Sequence, residues 1–249
     1  MNAIFITVRS GSKRLPQKCF KKIGGRSTIE LLIDRVKQSR LADTIVLCTT
    51  FLPEDEALSM LSFWNGINCY RGSVEDKLAR WQGAAHEYGV DFFVTADGDD
   101  LLCDPELMDL AFEQHERTGA DFIKADGLVC GAFTYGIKTS ALDRVCEIKG
   151  TTETEMMAGY FTDTGLFKVE ELDGVPDEYR RPEIRMTLDY EDDLRFFKKV
   201  FGHFKGQGFN LSDIIHYLDK HPAVVQINQY MQAQFLENQR RNTRMVIRG

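Results

Sequence analysis

Short, continuously apolar runs alternate with amphipathic stretches through the first half of this chain. Residues 3–8 and 44–49 read as buried strands, followed by strands at 68–70, 92–96 and 120–126. Between them lie helical patterns. Residues 28–38 carry Ile29, Leu32, Ile33 and Val36 on one face, and 53–64, 75–88 and 105–118 continue the series. Pro53 suits a first helical turn, where a missing N–H costs nothing. Strands that are apolar throughout must be covered on both faces, which predicts a mostly parallel sheet with helices on either side, an α/β fold. Ligands of such sheets bind where loops leave the carboxyl ends of the strands.

The alternation breaks down between 128 and 185. Glycine and threonine rise there, and β-hairpins with one helix near 140–147 are expected. A strand at 184–188, helices at 191–201 and 211–219, and a polar helical tail at 226–244 follow. No repeat or linker-like tract divides the chain. It reads as a single domain over residues 1–249, with a β-rich insertion at 128–185 and a C-terminal helical tail at 226–249 that packs across the domain or against a second subunit.

Composition narrows the function. A net charge of −7 argues against nucleic-acid binding, which asks for a basic footprint. The six cysteines, at 19, 48, 69, 103, 130 and 146, form no CxxC pair, and Cys48 falls inside an apparent strand. They read as reduced, buried thiols of a cytoplasmic protein. The N-terminal apolar run is too short for a signal peptide, and no run approaches the roughly 18–20 residues of a membrane span, so no membrane partner is expected.

Against that acidic background, "TVRSGSKRLPQK" at 7–18 stands out, with Arg9, Lys13, Arg14 and Lys18 threaded among glycine and serine at the end of the first strand. Exposed backbone N–H groups and cations together suit an extended polyphosphate. The loop has neither the G-x-x-x-x-G-K-[ST] of a P-loop nor the G-x-G-x-x-G of a dinucleotide site. Its plainer reading is a solvated basic turn.

Two acidic segments change the balance. "VTADGDDLLCDPE" places Asp97, Asp99 and Asp100 just past an apolar strand, and carboxylates so close repel one another unless a cation intervenes. Mg²⁺, held by one or two carboxylates and substrate phosphates, is the expected solution. Asp104 fits a cap for the helix starting at Pro105. In "MTLDYEDDLRFF", Glu191, Asp192 and Asp193 fall in a first helical turn, where the helix dipole favours anions, whereas Asp189 sits on the strand side. Two strand-end aspartates opposite a basic loop suggest metal-assisted nucleotidyl or phosphoryl transfer.

These residues also resemble a known family. "RSGSKRLPQK" is similar to the R-x-x-S-x-R-L-P-x-K signature of the bacterial sugar-activating cytidylyltransferases, the superfamily of CMP-KDO, acylneuraminate and spore-coat polysaccharide cytidylyltransferase-like proteins. Arg9, Ser12, Arg14, Leu15, Pro16 and Lys18 match it. "YRGSVEDKLARW" resembles the G-S-x-x-D-x-L-x-R of the spore-coat-like branch through Gly72, Ser73, Asp76, Leu78 and Arg80. "DGDDLLCDPEL" and "TLDYEDDL" are similar to G-D-x-P-L-x-D-P and T-x-D-x-x-x-D-L, and "LDKHPAVVQIN" resembles that branch's C-terminal end. Two departures stand out. Leu101 replaces the proline after the metal aspartate, and the cytosine-contacting T-S-x-x-H-x-S-G-T-D-R segment of CMP-KDO synthetases is absent.

The resemblance implies a Rossmann-like nucleotide-diphospho-sugar transferase (GT-A-type) fold, and a homodimer formed through 128–185, which would also meet the acceptor. It implies CMP transfer from CTP to an anionic acceptor (an ulosonic acid or a small phosphate or phosphonate), with release of pyrophosphate, for surface polysaccharide or glycoconjugate biosynthesis. Arg14, Lys18 and Asp99 would carry catalysis, with Asp99 and Asp189 holding Mg²⁺. Val8, Arg9, Gly11, Ser12, Arg14, Lys18, Arg71, Ser73, Asp76, Arg80 and Asp97 would bind nucleotide. Among Lys138, Arg144, Lys168, Arg180, Arg181 and Arg185, the last is the expected acceptor contact. The five histidines, 86, 115, 203, 216 and 221, are read as structural. Two other classes compete. Asp97-Gly98-Asp99 is a D-x-D, as in a GT-A glycosyltransferase using a nucleotide sugar, although that class needs no basic signature after the first strand. A non-catalytic nucleotide-binding regulator would need no pair of metal carboxylates.

Overall fold

The structure, a computed structural model, describes residues 1–232 and 246–247. Its centre is a seven-stranded sheet: β1 (Asn2–Thr7), β2 (Thr44–Thr50), β3 (Asn68–Gly72), β4 (Phe92–Asp97), β5 (Phe122–Lys124), β6 (Gly136–Lys138) and β7 (Val169–Glu171). The spatial order is β3-β2-β1-β4-β6-β5-β7. Strands β3, β2, β1 and β4 run parallel, β6 is antiparallel to both of its neighbours, and β5 and β7 are parallel. Thr7 stands in register with Cys48 on one side and Asp97 on the other, so the first loop and the acidic turn leave the sheet side by side.

Alternation along β1 explains why the strands are apolar throughout. Ile4 and Ile6 face α1 (Thr28–Val36), α4 (Pro105–Thr118), α6 (Glu191–His203) and α7 (Leu211–Lys220). Ala3 and Phe5 face α3 (Lys77–Tyr88) and α5 (Thr139–Ile148), with Phe5 stacked on Phe93 at 4.3 Å. The remaining long helix, α2 (Glu56–Trp64), follows a 3₁₀ turn that starts at Pro53. Caps fix the helix starts. Ser27 and Glu30 form a capping box on α1, and Asp104 accepts from the N–H groups of Glu106 (2.7 Å) and Leu107 (3.2 Å), the cap its sequence suggested. Among the described residues no helix is long and apolar enough to cross a membrane.

The second half departs from expectation. The described residues contain no hairpins over 128–185; β6 and β7, three residues each, join the central sheet instead. The apolar residues of this segment cover the sheet rather than pair with one another: Phe161 stacks on Phe122 at 4.7 Å. Nor is 184–188 a strand. It runs extended beside 130 with a single bridge, Cys130 to Arg185, then passes the acidic turn, where the Leu188 N–H donates to the Asp99 carbonyl at 2.9 Å. Gly131 permits the close pass: it sits at φ +89°, and a Cβ there would lie 2.3 Å from the Met186 carbonyl oxygen. Of the tail expected over 226–249, residues 233–245 and 248–249 lie outside the described residues.

Candidate active site at the carboxyl ends of the strands

The loop after β1 is tied down at both ends. Near its start, Asp55 accepts from the Ser10 N–H (2.7 Å) and hydroxyl (2.6 Å), and takes the Thr50 hydroxyl on its other oxygen. Near its end, the Thr28 hydroxyl donates to the Lys18 carbonyl at 2.6 Å. The acidic turn after β4 is tight: Gly98 donates to the Thr7 carbonyl at 2.8 Å, and a Cβ on Gly98 would stand 2.7 Å from the Val8 side chain. Asp97 and Asp99 are thereby pressed against the loop. The Leu188–Asp99 backbone bond brings Asp189 to the same point from a third direction.

Three elements thus meet on one ammonium group. Lys18 Nζ lies 2.6 Å from Asp99 Oδ2 and 3.1 Å from Asp189 Oδ1, and Arg14 reaches the same Asp189 oxygen at 2.6 Å. The Arg14 guanidinium also lies over the Tyr190 ring, 5.4 Å from its centre. The second oxygen of Asp189 is taken by Arg185 at 3.0 Å. Burial alone would lower the Lys18 pKa, but Asp99 and Asp189 raise it above its ordinary value, so Lys18 stays cationic. Burial pushes the Asp99 carboxyl up, yet Lys18 outweighs it and holds Asp99 below the usual range. Asp97 is pushed up by burial despite a 2.7 Å contact with Lys77. Asp100, buried and facing the charges of Asp99 and Asp97, is pushed up much further.

Asp99 and Asp189 converge on one ammonium, so a cation already stands between the two carboxylates. Among the described residues no third Asp, Glu, His or Cys completes a closed cage. An open pair of this kind fits a divalent ion that completes its shell with phosphate oxygens and water.

The structure brings together Arg14, Lys18, Asp99 and Asp189, with Asp97 alongside. Arg9 stands at the rim, 3.4 Å from the Val74 carbonyl and 3.8 Å from Glu155. Gly11 is open on its Cβ side, Val8 is buried against Gly98, and Ser12 Oγ accepts from the Leu15 N–H at 3.4 Å. Arg80 is buried, donates to the Ser73 carbonyl at 2.5 Å and, among the described residues, leaves Nε without a hydrogen-bond partner.

Three candidates have other tasks. Arg71 braces β2 and α2 through the Thr50 and Leu52 carbonyls, each at 3.0 Å, and Glu56. Asp76 is buried under the N-terminus of α3, capping Ala79 at 3.0 Å and pairing with Lys149 and Thr154. Arg185, expected on the acceptor, is 0% exposed. It is clamped by Asp189 and by Asp193, at 3.0 Å from each, so burial between two carboxylates removes it from any acceptor. The other cations proposed for the acceptor are engaged as well: Lys138 with Asp121, Arg144 with Glu147, Lys168 with Glu170, Arg181 with Glu183 and Asp219, and Arg180 with the Asp126 carbonyl.

Some functional neighbours had no signal in the sequence. Asp55 lay inside an apparent helix start, and Glu155 in a stretch without pattern. Lys77 follows the Asp76 cap and points its ammonium at Asp97 and across the Trp81 ring, 4.9 Å from its centre. Trp81 in turn donates to the Thr7 hydroxyl at 2.7 Å, which ties α3 to the end of β1.

Comparison with known proteins agrees with this geometry. The cytidylyltransferase family model matches residues 3–166. The chain is 33% identical over 226 residues to the uncharacterized protein MJ1063 of Methanocaldococcus jannaschii, covering 90% of this chain and 92% of that one. It is 24% identical to the spore coat polysaccharide biosynthesis protein SpsF of Bacillus subtilis, over 87% of this chain and 93% of that one. Among solved structures, a cytidylyltransferase from Leptospira borgpetersenii superposes with a TM-score of 0.82 at 25% identity, over 90% of this chain and 96% of that one. CMP:2-keto-3-deoxy-manno-octonic acid synthetase, solved with CTP, shares the fold at a TM-score of 0.63 and 13% identity, over 81% of this chain and 98% of that one.

Proposed function

This chain belongs to the cytidylyltransferase family, and from that premise we propose that it transfers CMP from CTP to an anionic small-molecule acceptor, releasing pyrophosphate. The observation that carries the reading is the meeting of Arg14 and Lys18 with Asp99 and Asp189 where the loop leaves β1. Triphosphate and catalytic cation need those two sets of charges within a few ångströms of each other.

In the proposed reaction an ionised acceptor oxygen attacks the α-phosphorus in line. The new P–O bond forms as the bond to the bridging oxygen breaks, and the electron pair leaves with pyrophosphate. Arg14 and Lys18 meet the charge that builds on the leaving group. Arg9, Gly11 and Ser12 line the loop along which the phosphates would lie, and Arg80 with Ser73 supports the nucleoside side from beneath. Asp99 and Asp189 would hold a divalent cation, Mg²⁺ in this reading, which would supply charge neutralisation for the phosphates. With Arg185 sealed away, the acceptor's anionic group falls to Lys77, the first residue of α3, whose ammonium reaches Asp97 at the end of β4. No histidine is needed as base; the five are engaged or packed elsewhere, His115 on the Ala120 carbonyl and His203 on Tyr217.

The likeness to SpsF supports a place in surface polysaccharide biosynthesis. Pyrophosphate release from each nucleoside triphosphate, assayed against a panel of ulosonic acids, phosphates and phosphonates, tests the proposal. CTP consumption matched one-to-one by pyrophosphate supports it. Release of a nucleoside diphosphate from a nucleotide sugar would instead make Asp97-Gly98-Asp99 a glycosyltransferase motif, and tight nucleotide binding without turnover would mark a regulator.

A further inference from the structure

The loop cations assigned to the triphosphate rest, in this structure, on the carboxylates assigned to the metal. Lys18 Nζ bridges Asp99 Oδ2 and Asp189 Oδ1 at 2.6 and 3.1 Å, and Arg14 adds a second contact to Asp189 Oδ1 at 2.6 Å. Asp189 Oδ2 is held apart from this exchangeable set by the buried Arg185, itself balanced by Asp193. Two carboxylates thus face two loop cations.

That balance penalises either ligand arriving alone. A divalent cation entering by itself meets an ammonium on the oxygens it needs. A triphosphate entering by itself finds its cations engaged, and adds its negative charge beside two carboxylates. With both present, Asp99 and Asp189 would hold the divalent ion and Lys18 would be released to the phosphates. The covalent geometry permits the move. The Lys18 carbonyl is pinned by the Thr28 hydroxyl at 2.6 Å, so the backbone stays while the four-carbon stem swings.

We infer that Lys18 is the resident cation of the Asp99–Asp189 pair and is exchanged for the divalent ion as the nucleotide binds, which makes metal and nucleotide load cooperatively. The coupling is reciprocal, so one residue sets both affinities. This rests on reading the site as a nucleotidyl-transfer centre.

The test uses Mn²⁺ alone, with free ion read by electron paramagnetic resonance and no nucleotide present. Lys18→Gln, checked for folding by circular dichroism, should bind Mn²⁺ at least tenfold more tightly than the wild type, while Lys18→Arg should bind it as weakly as the wild type. Equal or weaker binding by Lys18→Gln overturns the exchange. A second measurement needs no variant. Saturating Mn²⁺ should raise the rate at which an acylating reagent modifies the Lys18 amine in the wild type, read by mass spectrometry, and CTP added with the Mn²⁺ should lower it again. A rate that Mn²⁺ leaves unchanged or reduces overturns the proposal. Neither readout involves turnover, so a chain that exchanges Lys18 for Mn²⁺ but releases no pyrophosphate refutes the proposed function alone.

Discussion

The loop at 8–18 and the segment at 128–185 both carry several cations, but they place them differently. Arg14 and Lys18 reach across the chain to carboxylates that other elements bring to the sheet's edge. Arg144, Lys168 and Arg181 find partners near at hand on the surface, where a pair contributes only about 0–1 kcal/mol. The convergence of two loop cations on two carboxylates from separate elements is the part of the molecule that reads as chemistry. Local surface pairing reads as solubility. Arg185 belongs to neither group: it lies in the second half, yet it is buried, and its task is to hold Asp189 for the first half's loop.

Substitutions separate these roles, beginning with the largest effect. Asp99→Ala should lower kcat/KM for pyrophosphate release by about 10³-fold or more, the loss expected when a cation ligand and its charge stabilisation disappear. A loss of tenfold or less would remove Asp99 from the centre. Arg185→Met should cost about 3–5 kcal/mol of unfolding free energy in urea, because the buried Asp193 carboxylate and the second oxygen of Asp189 lose their countercharge. Were Arg185 an acceptor ligand after all, the variant would keep its stability and lose only acceptor affinity.

Lys77→Met should raise the acceptor KM roughly tenfold, about 1.4 kcal/mol, with the KM for CTP little changed. A change confined to CTP would move Lys77 to the nucleotide side. The smallest effect concerns Asp100. Its folded pKa is raised, first by burial and then by Asp99 and Asp97, so its contribution to stability is greatest below the unfolded carboxyl pKa of about 3.9 and is lost as pH rises through the folded pKa. Asp100→Asn removes that penalty. Tm at pH 7 should rise by roughly a few degrees, and the gain should vanish near pH 4. An unchanged or lower Tm at pH 7 would show that Asp100 is neutralised in another way.

The same contrast explains what the sequence could show. Strands β1, β2 and β4 were legible because burial on both faces leaves a largely apolar run, as in residues 3–6 and 92–94. Asp104 was legible because a cap followed by proline is a local device. Arg14, Lys18 and Asp99 were legible as candidates because the ends of β1 and β4 share one edge, whereas Asp189 was picked out as the end of a strand that does not form and reaches the site through the Leu188–Asp99 backbone bond instead. Arg185 was misread because its fate depends on Asp193 and on a chain crossing made possible by Gly131, neither of which leaves a mark in local pattern. Residues 184–188 alternate like a strand, but they bridge a neighbouring segment at one residue only. Lys77 and Asp55 act through partners 20 and 45 residues away, at a range that periodicity does not reach.

The most direct measurement of the central claim is pyrophosphate release from CTP with an acidic acceptor, run beside Asp99→Ala and with each of the other nucleoside triphosphates. The account predicts turnover with CTP that matches CMP transfer mole for mole and collapses in Asp99→Ala. Pyrophosphate release that survives in Asp99→Ala, or product that is a nucleoside diphosphate from a nucleotide sugar, would contradict it.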